Sequence, residues 1–146
     1  EQTMPEFLPD RLEAGTHNMP GIAGLEAGLR FVRQRRERIE HHERALIADV
    51  SEWLRAMGGV TVYAAREPSA QIGVLSFNVD GREPEETAAA LAQRGFALRG
   101  GLHCAPYAHR TAGTLPNGTV RLSVSAFTSP AEIDAFVRAL RSIART

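Results

Sequence analysis

The last third of the chain places an alternating segment directly before a helix-start signature, and this succession restricts the fold more than any other feature. From residue 119 to residue 125, apolar side chains occupy every second position: Val120, Leu122 and Val124. This pattern predicts a strand with one buried face. Ser129 and Glu132 then form a capping box around Pro130 at the first helical position. The sequence therefore predicts a sheet and a helix that bury their apolar faces together.

The other segments predict the same mixture of elements. After an irregular stretch over residues 1–20, the predicted elements are helices from residue 21 and over residues 39–57, strands at 60–64 and 72–79, a helix at 84–94, a strand at 96–99 and a loop at 100–118. The order after the first two helices is ββαββα. This order predicts an α+β fold with helices on one face of a mainly antiparallel sheet.

Composition narrows the functional classes. The 146 residues carry 17 basic and 17 acidic side chains, and this balance gives no bulk attraction for nucleic acid or an anionic membrane. No apolar run approaches the roughly 20 residues of a membrane span, so we expect a cytoplasmic protein. All the basic residues are arginine. Without lysine, the chain cannot hold a cofactor or substrate as a lysine Schiff base.

Cys104 is the only thiol and the central candidate for chemistry. A single cysteine is often only a small buried hydrophobe, but this one lies in the long predicted loop, where Gly100 and Gly101 give the chain freedom. Arg99 and His103 offer positive charge that favours the thiolate. A metal site is disfavoured, because one cysteine with scattered histidines lacks the paired spacing of a zinc site.

Arg121 is the second candidate, because it lies on the strand face opposite the apolar residues. A guanidinium group matches a carboxylate through two parallel hydrogen bonds, so Arg121 is suited to clamp a carboxylate substrate. An exposed arginine on a half-solvated sheet explains the same pattern. The same two interpretations apply to Arg99, and the residues alone leave both open.

Three blocks of sequence carry a resemblance to a known family. They cover residues 12–25 (LEAGTHNMPGIAGL), residues 99–106 (RGGLHCAP) and residues 118–123 (GTVRLS), which lead to Phe127. In the order and spacing of these blocks, the chain resembles the C-terminal part of pyridoxal-phosphate-dependent enzymes of the class V aminotransferase type. It resembles the cysteine desulfurases most closely.

The resemblance implies roles for residues at matching positions. Cys104 matches the nucleophile that takes sulfur from L-cysteine as a persulfide and leaves L-alanine. Arg121 matches the arginine that holds the α-carboxylate of the substrate, while Arg99 and His103 would border the same pocket and tune the thiol. A sulfur-acceptor protein is the further partner that this chemistry allows.

The resemblance also implies what this chain lacks. Thr16 matches a residue that reaches the cofactor phosphate across a homodimer interface, although His17 stands where the motif often has proline. The Schiff-base lysine of the family belongs to a large domain. We therefore expect residues 1–36 to be the end of that large cofactor-binding domain and residues 37–146 to be the small C-terminal domain. The isolated chain is expected to be inactive.

Other functions fit the sequence as well. Another lyase or transaminase of the class V type would share the fold, and a free-standing sulfur-relay module would also use Cys104 without needing lysine. A non-catalytic interaction domain with an inert Cys104 is a third alternative. The loop cysteine favours sulfur chemistry, because a transaminase has no need of a mobile thiol.

Overall fold

The structure is a computed structural model that describes residues 3–13 and 15–144. Its helices are α1 (Met19–Arg55), α2 (Pro84–Ala92), α3 (Pro106–Ala112) and α4 (Pro130–Ala144), and its strands are β1 (Val60–Tyr63), β2 (Val74–Val79), β3 (Arg99–Gly101) and β4 (Thr119–Ser123). The strands form one sheet in the order β1-β2-β4-β3, and every neighbouring pair is antiparallel. The predicted α+β class is confirmed.

The chain divides into two compact units, and the boundary falls after Arg36, within α1. The first unit holds a short 3-10 turn, Asp10–Leu12, and the first half of α1, whose apolar side chains are exposed: Ile22, Leu25, Leu29 and Val32. The second unit holds the sheet and the hydrophobic core. None of the helices in residues 3–13 and 15–144 is both long and apolar enough to cross a membrane.

The core lies on one face of the sheet. Leu75 and Phe77 of β2 and Val120 of β4 are completely buried there. The helices supply the other side of this core with Leu46, Ile47, Val50, Leu54, Leu91, Ile133, Phe136, Val137, Leu140 and Ile143. The Phe136 ring packs edge-on against Phe77, with ring centroids 6.0 Å apart. The predicted layer of helices therefore covers the apolar face.

The opposite face of the sheet carries a polar row. Tyr63 of β1 lies opposite Ser76 of β2, Ser76 lies opposite Arg121 of β4, and Arg121 lies opposite Arg99 of β3. Side chains of residues directly opposite one another across a ladder project from the same face. The two arginines singled out from the sequence are therefore neighbours on the polar face.

One predicted boundary is wrong. The sequence predicts two helices between residues 21 and 57, whereas α1 is a single helix from Met19 to Arg55. No glycine or proline occurs between Leu29 and Met57 to end a helix. The charged middle is supported by pairs one turn apart, in which Glu26 contacts Arg30 and Glu40 contacts Arg44.

The region after α2 also differs from the prediction. Gly95 has a φ of +87°, and the Phe96 N–H donates to the Leu91 carbonyl at 3.1 Å, so residues 95–98 end the helix instead of forming a strand. Strand β3 begins only at Arg99. The predicted loop at 100–118 contains α3, which has a single buried residue, His109. A helix with one buried residue shows no apolar period, and this is why the sequence pattern missed it.

Candidate functional site

Cys104 lies in the turn that joins β3 to α3, where its thiol is free and exposed. His103 and Cys104 have φ angles of 50° and 59°, in the left-handed region that residues other than glycine rarely adopt. Such conformations cost on the order of 1 kcal/mol each and persist where neighbouring contacts fix them. Here the Ala105 N–H donates to the Leu102 carbonyl at 2.9 Å and closes the turn. The turn presents Cys104 to solvent in a strained conformation.

His103 is held against β4. Its Nε2 lies 3.1 Å from the Thr119 carbonyl oxygen, and a carbonyl only accepts, so Nε2 carries the proton. Burial lowers the pKa of His103 below its ordinary value of 6.5, and Arg121, His109 and Arg99 lower it further, against the opposing effect of the Thr119 hydrogen bond. The imidazole is therefore neutral at pH 7. His103 therefore does not carry the positive charge expected from the sequence, and the charges that act on it are those of Arg121 and Arg99.

The remaining ring nitrogen of His103 carries no proton. In the neutral Nε2–H form, Nδ1 carries a lone pair. This atom is buried, and within the described ranges it has no hydrogen-bond partner. Nδ1 therefore forms no hydrogen bond to the exposed Cys104 thiol in the described structure.

Arg99 and Arg121 form the second part of the site. They are opposite one another on the polar face, and two like charges in that arrangement repel unless an anion lies between them. The Nε of Arg121 is buried and, in the part of the chain that is described, has no partner. A buried N–H without a partner costs about 1–3 kcal/mol. A carboxylate bound by the two guanidinium groups would remove both costs.

Two glycines bring the backbone segments of the site together. A Cβ at Gly118 would lie 2.1 Å from the carbonyl oxygen of Gly101, and one at Gly100 would lie 2.6 Å from that of Pro84. Real Cβ atoms do not approach other atoms so closely. The sequence prediction that Gly100 and Gly101 give freedom is therefore incomplete, because Gly100 and Gly118 also allow β3 to pack tightly against α2 and the start of β4.

The structure brings four of the five predicted site residues to one place. Cys104, His103, Arg99 and Arg121 lie on β3, on β4 and in the turn after β3. Thr16 is exposed in the segment before α1, in the other compact unit. Among the described residues, no group of three or more histidine, cysteine, aspartate or glutamate side chains could hold a metal ion.

Sequence reasoning gave no role to the pair His109 and Thr114. In the structure both residues are buried, and His109 Nδ1 lies 2.7 Å from Thr114 Oγ1. A polar pair inside a segment without periodicity leaves no signal in a pattern of apolar residues.

The fold and site define an α+β domain in which an exposed cysteine lies in the turn after a strand that carries one of a pair of arginines. The family model described as aminotransferase class-V matches residues 2–136. The chain belongs to this family.

Relatives of this chain are cysteine desulfurases by name. A probable cysteine desulfurase of Mycolicibacterium paratuberculosis is 38% identical over 145 residues, which cover 99% of this chain and 21% of that protein. One of Pyrococcus abyssi is 34% identical over 94% of this chain and 34% of its own length. The apo cysteine desulfurase of Thermococcus onnurineus superposes with a TM-score of 0.83 at 36% identity, over 94% of this chain and 34% of that one. The chain thus spans about a fifth to a third of these relatives.

The family uses pyridoxal phosphate, and the residues of this chain do not by themselves fit that cofactor. The amine that would bind it covalently is missing, because the chain contains no lysine. The arginine pair and Cys104 are instead suited to a carboxylate and a sulfur atom. The chemistry of this chain is therefore limited to binding, orientation and thiol reactions.

Proposed function

We propose that this chain forms the C-terminal part of a pyridoxal-phosphate-dependent cysteine desulfurase and that Cys104 accepts the sulfur. The observation that carries the proposal is the exposed Cys104 on a left-handed turn directly after His103, the residue on which the charges of Arg99 and Arg121 act. The names of the relatives support the same activity. The lysine that holds the cofactor would then come from sequence outside these 146 residues, and the isolated chain would be inactive.

Each site residue has a role in this proposal. Arg121, with Arg99 beside it, binds the α-carboxylate of L-cysteine and fixes the position of its sulfur. His103, the neighbour of Cys104 in the turn, tunes the exposed thiol, which loses its proton to solvent. The thiolate then forms a bond to the substrate sulfur while the carbon–sulfur bond breaks. The bonding pair stays with the carbon, which takes up a proton, so the products are L-alanine and a persulfide on Cys104.

The proposal extends to the first unit and to partners. Residues 1–36 would be the end of the large cofactor-binding domain, and Thr16 would contact the cofactor phosphate across a homodimer interface. Residues 37–146 would be the small domain. The exposure of Cys104 suits delivery of the persulfide sulfur to a separate acceptor protein in the cytoplasm.

The test compares sulfide release from L-cysteine by the natural-length gene product and by its Cys104→Ala variant, with a reductant present. We expect release to fall by roughly 100-fold or more in the variant, as for the loss of a nucleophile. The absorbance of the bound cofactor must stay unchanged, so that the loss reports on the thiol alone. Equal release by both proteins would remove the role of Cys104.

A transaminase or a relay module would give a different result. In both cases the wild-type protein would release no sulfide from L-cysteine. The relay alternative then predicts that Cys104 takes up sulfur from an added protein persulfide, which mass spectrometry of the intact protein would detect.

A further inference from the structure

The buried imidazole of His109 has no part in the chemistry proposed so far. Only 8% of its surface is exposed, although α3 is otherwise a solvent-facing helix. Its Nδ1 lies 2.7 Å from Thr114 Oγ1, which is also buried. The ring centroid lies 5.9 Å from that of His103. His109 therefore connects the end of α3 with the residue next to the thiol.

Hydrogen bonds continue from this pair back to the turn. The Thr114 N–H donates to the His109 carbonyl at 2.9 Å, and the Gly118 N–H donates to the Thr114 carbonyl at 2.7 Å. The next residue, Thr119, accepts the Nε2–H of His103. The path from His109 through Thr114 and residues 118 and 119 returns to His103, whose ring packs on the ring of His109. It forms a closed circuit around the segment between α3 and β4.

This circuit accounts for the strained turn. Two successive non-glycine residues stay in the left-handed region only where neighbouring contacts hold their backbone there. His103 is fixed on one side by the Thr119 carbonyl and on the other by the His109 ring. If the His109 ring is released, one of these two supports is lost.

We propose that His109 and Thr114 are positioning residues for the Cys104 turn: Thr114 orients the His109 ring, which holds His103 in place beside the thiol. The role in sulfur transfer rests on the proposed function, whereas the positioning of His103 does not. The groups that face His103 are Arg121 from β4, Arg99 from β3 and His109 from α3.

The test is a Thr114→Val variant of the natural-length protein, which removes the hydroxyl and keeps the shape. Thr111→Val is the matched control, because Thr111 is an exposed threonine on α3, the helix that carries His109. Thr114→Ser is the rescue variant, because it restores the hydroxyl. In each protein the titration of His103 is followed by NMR of labelled histidine rings and assigned with a His103→Gln variant.

We expect the His103 midpoint to rise toward 6.5 in Thr114→Val, because burial is the main cause of its lowered pKa and a released ring gains solvent. Thr114→Ser should restore the wild-type midpoint. Sulfide release should show a lower kcat with little change in KM, because Arg121 is untouched. A kcat loss of about tenfold corresponds to one misplaced group.

The inference is overturned if Thr114→Val and Thr111→Val give the same His103 midpoint. Circular dichroism establishes that Thr114→Val is folded. If it does not fold, His109→Asn takes its place, because the shorter amide keeps a hydrogen-bonding group and removes the ring. An unchanged His103 midpoint in that variant also overturns the inference. Absence of sulfide release from the wild type would count against the proposed function and leave the titration result intact.

Discussion

The two faces of the sheet differ in whether their buried atoms find partners within the chain. On the apolar face, Leu75, Phe77 and Val120 pack against three helices and are fully buried. On the polar face, buried atoms without hydrogen-bond partners in the described structure accumulate around β4: Asn78 Oδ1, Thr119 Oγ1 and Arg121 Nε. The same strand thus carries a completed core on one side and an incomplete polar surface on the other.

The difference indicates where stability and function reside. Most buried polar groups in proteins are paired, and each exception calls for an explanation. Among the described residues, four of the six exceptions lie on the polar face of the sheet or in the turn that carries Cys104. The other two, Arg44 Nε and Thr87 Oγ1, lie on α1 and α2. A bound anionic substrate would supply partners that the chain does not. Changes on the apolar face should therefore cost stability, and changes on the polar face should cost activity.

The largest expected effect is on the apolar face. Phe77→Ala removes a ring that is completely buried and in edge-to-face contact with Phe136. We expect the free energy of unfolding to fall by about 3–5 kcal/mol. Chemical denaturation of the chain measures this loss. Leu25→Ala is the comparison, because Leu25 is 63% exposed, and a surface change should stay within about 0.5 kcal/mol. Similar losses in both variants would contradict the location of the core.

Arg121→Met should weaken substrate binding and leave stability nearly unchanged. The variant replaces a guanidinium group whose Nε is buried and unpaired within the described residues by an apolar chain. We expect the free energy of unfolding to stay within about 1 kcal/mol of wild type. KM for L-cysteine should rise by about 10- to 100-fold, the effect of losing charged hydrogen bonds worth about 1.5–3 kcal/mol.

The control for this variant is Arg138→Met, which removes an exposed arginine from α4. It should change neither KM nor stability. If Arg121→Met destabilises the chain strongly and leaves KM unchanged, Arg121 is a structural residue and the polar face is not the substrate site.

The apolar face was predictable from the sequence, and the polar face only in part. Alternation at residues 119–125 identifies which side chains of β4 face the apolar core, because a strand has a period of two. The capping box at Ser129 and Glu132 is formed, with Glu132 Oε2 accepting from the Ser129 N–H at 2.7 Å. These signals are local, so the sequence contains them completely.

The polar face depends on pairings that a single sequence does not contain. That Arg99 lies opposite Arg121 follows from the register of β3 on β4, and this register depends on the close approach at Gly118. The neutral state of His103 and the contact of His109 with Thr114 depend on burial in three dimensions. Residue patterns and the resemblance to the family supplied the site residues, and the geometry supplied the pair that supports them.

The smallest expected change in stability is at buried hydroxyls that have no hydrogen-bond partner in the described structure. Thr119→Val replaces a buried hydroxyl that has no partner in the described structure by a methyl group of the same shape. We expect the free energy of unfolding to stay within about 0.5 kcal/mol or to rise, because no hydrogen bond is lost and the cost of burying the hydroxyl is removed. Thr87 on α2 carries another buried hydroxyl without a partner in the described structure, and Thr87→Val should have the same small effect on stability. Thr114→Val breaks the bond to His109 and should cost about 1 kcal/mol. If Thr119→Val costs as much as Thr114→Val, the Thr119 hydroxyl has a partner in solution, and the contrast between the two faces is weaker than the structure indicates.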